Sequence, residues 1–305
     1  MAVLLTACGS DSDGGGGGGG GSTGTASLSL TDAPIDDAYD VSVYFDGVEF
    51  QPKDGDRITF YLADDGSGSC GVVESIDETT FPCKVNLLDY QGENKVTLLD
   101  GVTLPSGQYS WVRLILNKDP GYIILTNGGN QLDLRVPGGA ETGLKLHGGF
   151  IVAAGNHTDY TIDFDVRKSI HDPVGSSDYI LRPTLRMVDN SEVGSLSGTI
   201  DSSVYVDNSE CTGAVYVFSD VVSPPDDLDG TDDPITTALI STDGAYEYTV
   251  GFLTEGEYLA AFTCDALADT TTVDDDSETV SFLSEATVTI TAGENTVQNF
   301  PPAAP

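Results

Sequence analysis

Basic side chains are scarce in this sequence and absent beyond Arg186. Twelve Lys and Arg stand against 49 Asp and Glu, for a formal net charge of -37. A chain so acidic repels phosphate backbones, which excludes a nucleic-acid partner. Long apolar runs are also missing: the hydrophobic stretches are a handful of residues each, against the roughly 20 that a membrane-spanning helix needs. No segment carries a long helical period, so a helix bundle is excluded. The three histidines are scattered at His147, His157 and His171, and no Cys-x-x-Cys pair occurs, which argues against a zinc site. Gly-x-Ser-x-Gly, His-Glu-x-x-His and phosphate-cradling glycine loops are lacking too.

What is present is alternation. Val41, Val43 and Phe45 share one face of a strand and Ser42, Tyr44 and Asp46 the other; Trp111–Leu116 and Tyr160–Val166 repeat the period of two. Turn signals separate these runs, among them Lys53-Asp54-Gly55-Asp56, Asp119-Pro120-Gly121 and Asn127-Gly128-Gly129-Asn130. The 305 residues suffice for two domains. The expectation is an all-β protein with two antiparallel β-sandwich domains, residues 26–190 and 191–300, before a Pro/Ala tail at 301–305. In the second, Asp243-Gly244 is expected to make a tight hairpin turn, and Gly256 to reverse the chain before Tyr258 enters the core.

At the amino end, Leu5-Thr6-Ala7-Cys8-Gly9 resembles a lipobox, the signal read before a diacylglycerol is attached to the cysteine sulfur. Residues 1–8 then read as a truncated lipoprotein signal, short of a basic start and a full apolar segment, so the native gene is expected to begin upstream of Met1. Residues 9–25, with unbroken glycine from Gly14 to Gly21, read as a tether spanning about 20–25 Å. Gly9 and Ser10 lack the Asp that favours inner-membrane retention, so the expected location is the outer membrane of a Gram-negative cell. Four cysteines remain, Cys70, Cys83, Cys211 and Cys264, with three possible disulfide pairings; the domain boundaries favour Cys70 with Cys83 and Cys211 with Cys264.

Several segments carry a family resemblance. Leu28-Ser29-Leu30-Thr31-Asp32-Ala33-Pro34, Val48-Glu49-Phe50, Leu104-Pro105-Ser106-Gly107-Gln108-Tyr109, Asp163-Phe164-Asp165 and Tyr179-Ile180-Leu181-Arg182-Pro183 resemble a domain-of-unknown-function family of bacterial surface lipoproteins. The resemblance implies an exported, lipid-anchored, β-rich domain with no established reaction. Gly194–Ile200, Ala214–Phe218, Thr242–Tyr246 and Leu253–Tyr258 are similar to the carboxypeptidase-regulatory or transthyretin-like sandwich, which implies a spacer or binding platform without catalytic residues.

Two sets of acids are candidate sites. Asp163 and Asp165 fall on one strand face about 7 Å apart with Arg167 following, which reads either as a solvated polar face or as the paired carboxylates of a glycan hydrolase. Asp32, Asp36, Asp37 and Asp40 crowd one loop, and Asp226–Asp233, with Asp227, Asp229, Asp232 and Asp233, another. Either loop could hold Ca²⁺ or simply be solvated, the second having no basic residue nearby in sequence to neutralise it. Tyr44, Tyr90, Trp111 and Tyr122 are candidates for stacking on sugars, with Trp111 expected to be buried. The expected function is a non-enzymatic surface lipoprotein for binding, adhesion or envelope scaffolding, needing no cofactor, with Ca²⁺ as an optional stabiliser. Its expected partners are a membrane, through the lipid on Cys8, and glycans or surface proteins. A polymer hydrolase and a small-molecule carrier are the alternatives.

Overall fold

The computed structural model describes residues 22–33, 35, 38–64, 70–77, 80–126, 128–138, 142–172, 178–208, 210–219, 225–228, 233–269 and 280–301. Strands follow one another as β1 (Thr23–Ala33), β2 (Ala38–Pro52), β3 (Ile58–Asp64), β4 (Cys70–Val73), β5 (Cys83–Asn86), β6 (Val96–Pro105) and β7 (Gly107–Leu125). Then come β8 (Gln131–Arg135), β9 (Leu144–Val152), β10 (His157–Asp165), the helical turn α1 (Val166–Ser169), β11 (Ile170–His171), β12 (Tyr179–Leu181) and β13 (Thr184–Asp189). The rest of the chain forms β14 (Val193–Thr199), α2 (Ser203–Asp207), β15 (Ala214–Ser219), β16 (Thr236–Leu239), β17 (Glu247–Thr254), β18 (Gly256–Thr263), β19 (Phe282–Ile290) and β20 (Asn295–Val297).

The protein is all-β. In the first sandwich a four-stranded sheet, β13-β10-β1-β6, faces a larger one built on β11-β12-β8-β7-β2-β3-β4, with β5 added to β2 and β9 to β7. The second pairs β17-β14-β20 with β16-β15-β18-β19. The sheets are mixed, which corrects the purely antiparallel expectation: β1 runs parallel to β10, β12 to β8 and β14 to β20. These partners are distant in sequence, so no tight turn dictates their direction.

The alternation read from sequence is the alternation of burial. Val41, Val43 and Phe45 are fully buried in the first core, where Tyr109 stacks on Phe150 at 4.8 Å and Phe50 meets both rings edge-on. Leu196, Val215, Val217, Phe262 and Phe300 form the second core. Disulfides join Cys70 to Cys83 and Cys211 to Cys264.

Two corners share one construction. Leu104–Tyr109 carries the chain from β6 in one sheet to β7 in the other, and the Tyr109 hydroxyl donates to the Pro105 carbonyl at 2.8 Å. Leu253–Tyr258 does the same between β17 and β18, with Tyr258 donating to Thr254 at 2.7 Å. A tyrosine bonded back to backbone four residues upstream pins the chain where it changes sheets. Tyr109→Phe and Tyr258→Phe are each expected to lower stability by about 1 kcal/mol in denaturant titrations, with the slope unchanged. The turn at Asp243-Gly244 is not a hairpin turn: β16 and β17, which it joins, lie in different sheets. The turn chemistry at Gly244, with φ of 113°, was legible, but which sheet receives the next strand is set by packing.

Candidate functional site

The strand carrying the candidate carboxylates is buried on both faces. Ile162 and Phe164 enter the first core, while Thr161, Asp163 and Asp165 on the other face are each no more than 5% exposed. An outer sheet face becomes this dry only when something covers it, and over β10 the cover includes the second domain. The solvated-face reading of Asp163 and Asp165 is therefore corrected, and so is the placement of Arg167 on that face. The strand ends at Asp165, whose carboxylate accepts the Lys168 backbone N–H at 3.0 Å, and α1 turns Arg167 and Lys168 toward the second domain.

There Arg167, 5% exposed, donates to the Ala266 carbonyl and lies with its guanidinium 5.4 Å from the Tyr216 ring. Tyr216 donates to Asp269, which also accepts the Leu228 backbone N–H. Burial pushes the Asp269 carboxyl above its ordinary value, while the Tyr216 hydrogen bond and the Arg167 charge pull it back. Lys168 Nζ reaches Asp233 at 3.1 Å and the Pro234 carbonyl at 2.7 Å. Asp233 of the acid-only half is thus paired with a cation lent from the first domain, which the linear sequence concealed.

Beside this joint, Asp163 pairs with Arg186 at 2.7 Å. Asp32, on the neighbouring strand, is 4% exposed and accepts the Val166 N–H at 3.2 Å. Both acids line a cleft of about 280 Å³ between the domains, with Thr236 and Thr237 of β16, the Gln91-Gly92 turn and Thr249–Phe252 of β17 around it. At its edge the backbones touch: a Cβ on Gly251 would sit 2.2 Å from the Gly92 carbonyl oxygen.

With this geometry in place, the chain can be set beside known proteins. A family model described as a domain of unknown function, DUF4382, matches residues 23–183. The chain belongs to this family. No curated protein matches it. Among solved structures, GBS52, the minor pilin of Streptococcus agalactiae, is 10% identical over 92% of this chain and 97% of its own, with a TM-score of 0.22. BcpA, the major pilin subunit of Bacillus cereus, is 9% identical over 92% and 99%, with a TM-score of 0.21. The Bacillus anthracis TIE protein is 10% identical over 91% of this chain but only 34% of its own, with a TM-score of 0.21. At such scores the backbones do not superpose, and these structures bear on neither the fold nor the function here.

Within the DUF4382 domain the acids that sequence spacing grouped have separate tasks. Asp163 holds Arg186, Asp165 caps α1 and Asp32 ties β1 to the start of α1. Burial, reinforced by the neighbouring Asp163 charge and opposed by the Lys168 N–H, pushes the Asp165 carboxyl up to about 6. An acid with a folded value above its unfolded 3.8 binds its proton more tightly in the native state. Its contribution is complete below pH 3.8 and is lost as pH rises through 6, amounting to about 3 kcal/mol by neutral pH. Asp165→Asn, which keeps an oxygen for the Lys168 N–H, is expected to raise the melting temperature at pH 7 and to change it little at pH 4. Equal shifts at both pH values would refute this account.

The remaining candidates are dispersed. Asp227 is partly buried with one carboxylate oxygen lacking a partner, Asp233 is committed to Lys168, and Asp36, Asp37, Asp229, Asp232 and Cys8 lie outside the described residues. Among the described residues, no three His, Cys, Asp or Glu come together as metal ligands. Tyr122 is buried, donating to Asp40 and accepting from Lys84, while Tyr44 and Tyr90 are half-buried. Trp111 is half-buried too, not enclosed as expected, with Lys145 Nζ 4.3 Å from its ring centroid. Sequence reasoning passed over the most exposed aromatics, Phe81 at 75% and Tyr39 at 56%, because composition around them signals only a loop and an acidic turn.

Proposed function

We propose that this is a non-enzymatic, exported surface protein, anchored through Cys8, whose two sandwiches form one unit and offer their junction for binding. The observation that carries the reading is that Asp163 and Asp165, the carboxylates available for hydrolysis, are buried and occupied in holding Arg186 and capping α1. A glycosidase pair needs two carboxyl groups facing one substrate bond, and these serve two different structural contacts. Two disulfides suit an oxidising compartment. The calcium reading narrows accordingly: Asp233 is already paired with Lys168, so a cation in the second acidic loop would draw chiefly on Asp227, Asp229 and Asp232, and one in the first on Asp32, Asp36 and Asp37.

The test is to express the native gene in a Gram-negative host and examine the mature protein by mass spectrometry and by protease treatment of intact cells. A diacylglycerol-bearing Cys8 at the mature terminus, with cleavage from outside the cell, is expected; an unmodified Cys8 or a protein retained in the cytoplasm would overturn the reading. Melting in millimolar Ca²⁺ and in EDTA at fixed ionic strength checks the cation, and coincident curves would reject it.

A further inference from the structure

The cleft between the domains has polar groups beyond those the joint itself uses. Thr237 is 3% exposed, and its hydroxyl has no hydrogen-bond partner among the described residues. Ala238, its neighbour in β16, packs into the second core, so Thr237 lies on the opposite face, toward the first domain and the cleft. A buried hydroxyl left unpaired costs about 1–3 kcal/mol, so the position favours an occupant that hydrogen-bonds to it.

The other lining groups limit what that occupant can be. Asp32 and Asp163 present carboxylate oxygens, Gln91 an amide, and Phe252 an apolar ring. Asp163 is already charge-compensated by Arg186, and the residues that meet here do not assemble a metal-ligand set. The cleft therefore calls for a neutral ligand rich in hydroxyl groups, with a C–H face to lie against the ring. Its volume of about 280 Å³ falls at the lower edge of the roughly 300–1,000 Å³ typical of drug-sized ligands, which suits one sugar ring. Phe252 holds a left-handed φ of 54°, a conformation that costs about 1–3 kcal/mol in a bulky residue and recurs at ligand clamps. Interdomain junctions are also a preferred place for such sites.

We infer that the interdomain cleft binds a single neutral sugar residue, with Asp32 and Asp163 accepting from its hydroxyls and Thr237 and Gln91 completing the set. The inference rests on the binding-module reading above and names the ligand class of that junction.

The test uses the full chain in solution, titrated with D-glucose, D-galactose, D-mannose and N-acetyl-D-glucosamine up to about 50 mM, followed by saturation-transfer NMR and calorimetry. Glucuronate and Ca²⁺ serve as the charged probes. At least one neutral sugar is expected to saturate, and Thr237→Val to weaken it at least tenfold without lowering the melting temperature, since the hydroxyl it removes has no protein partner. Should Thr237→Val fold poorly, Gln91→Ala is expected to produce a comparable loss. No saturation by any neutral sugar, binding of the charged probes alone, or unchanged affinity in the cleft variants would overturn the inference. Solution binding does not depend on lipidation, so its failure is separable from failure of the surface-anchoring reading, which the cell fractionation decides.

Discussion

Replacing Arg167 by alanine is expected to turn one unfolding transition into two and to cost roughly 3–5 kcal/mol, the scale for removing one member of a buried charged cluster. Arg167 belongs to the first domain by chain connection, yet its guanidinium lies against Ala266 and Tyr216 of the second, close enough to influence Asp269. Without it, Asp269 and the Tyr216 hydroxyl would keep their mutual bond in a dry site without the guanidinium charge that now faces them, and the domains would lose a buried contact between them. Calorimetry reads the outcome directly. Two separated transitions, with the second domain melting first, are expected; a single transition with an unchanged midpoint would show that the joint contributes nothing to folding. Lys168→Ala should do far less, about 1 kcal/mol or under, because Asp233 is 45% exposed and water screens the pair.

Loss of the Cys211–Cys264 bridge is the second large effect. This disulfide closes a loop of 53 residues, which by chain entropy stabilises the fold by about 4 kcal/mol, against about 3 kcal/mol for the 13-residue loop closed by Cys70–Cys83. The double variant Cys211→Ser/Cys264→Ser is expected to unfold at markedly lower denaturant than Cys70→Ser/Cys83→Ser. The second domain has fewer other means of support: it is small, carries no basic residue of its own, and so forms no internal ion pairs between Lys or Arg and its acids. A larger loss from the shorter bridge would contradict the entropic reasoning and point to packing around the fully buried Cys83.

Much of this architecture was legible in one dimension, and the parts that were not share a cause. Period-two patterning reports which face of a strand meets a core, and at Val41–Phe45 and Ile162–Phe164 it did so correctly. It cannot report what lies on the other face. Asp163 and Asp165 look solvent-facing in sequence because polar residues alternate with apolar ones, whereas in the fold both are dry, one paired with Arg186 and the other capping α1. Likewise the acidic segment around Asp233 looks unneutralised because Lys168 lies 65 residues away along the chain. Parallel pairing of β1 with β10 escaped notice for the same reason: Thr31 and Asp163 become neighbours without any turn to announce it.

Strand positions, the places where the chain turns and the preferred cysteine pairing follow from local chemistry: alternation, turn residues and chain separation act over a few positions or within one domain, so the amino-acid order alone determined them. The joint between the sandwiches was decided by tertiary structure. There Arg167 crosses to Tyr216, Gly92 backs onto Gly251, and Asp32 and Asp163 come to line one cleft with Thr237. Those contacts depend on how two separately patterned surfaces meet, and complementarity of that kind exists only once both are folded.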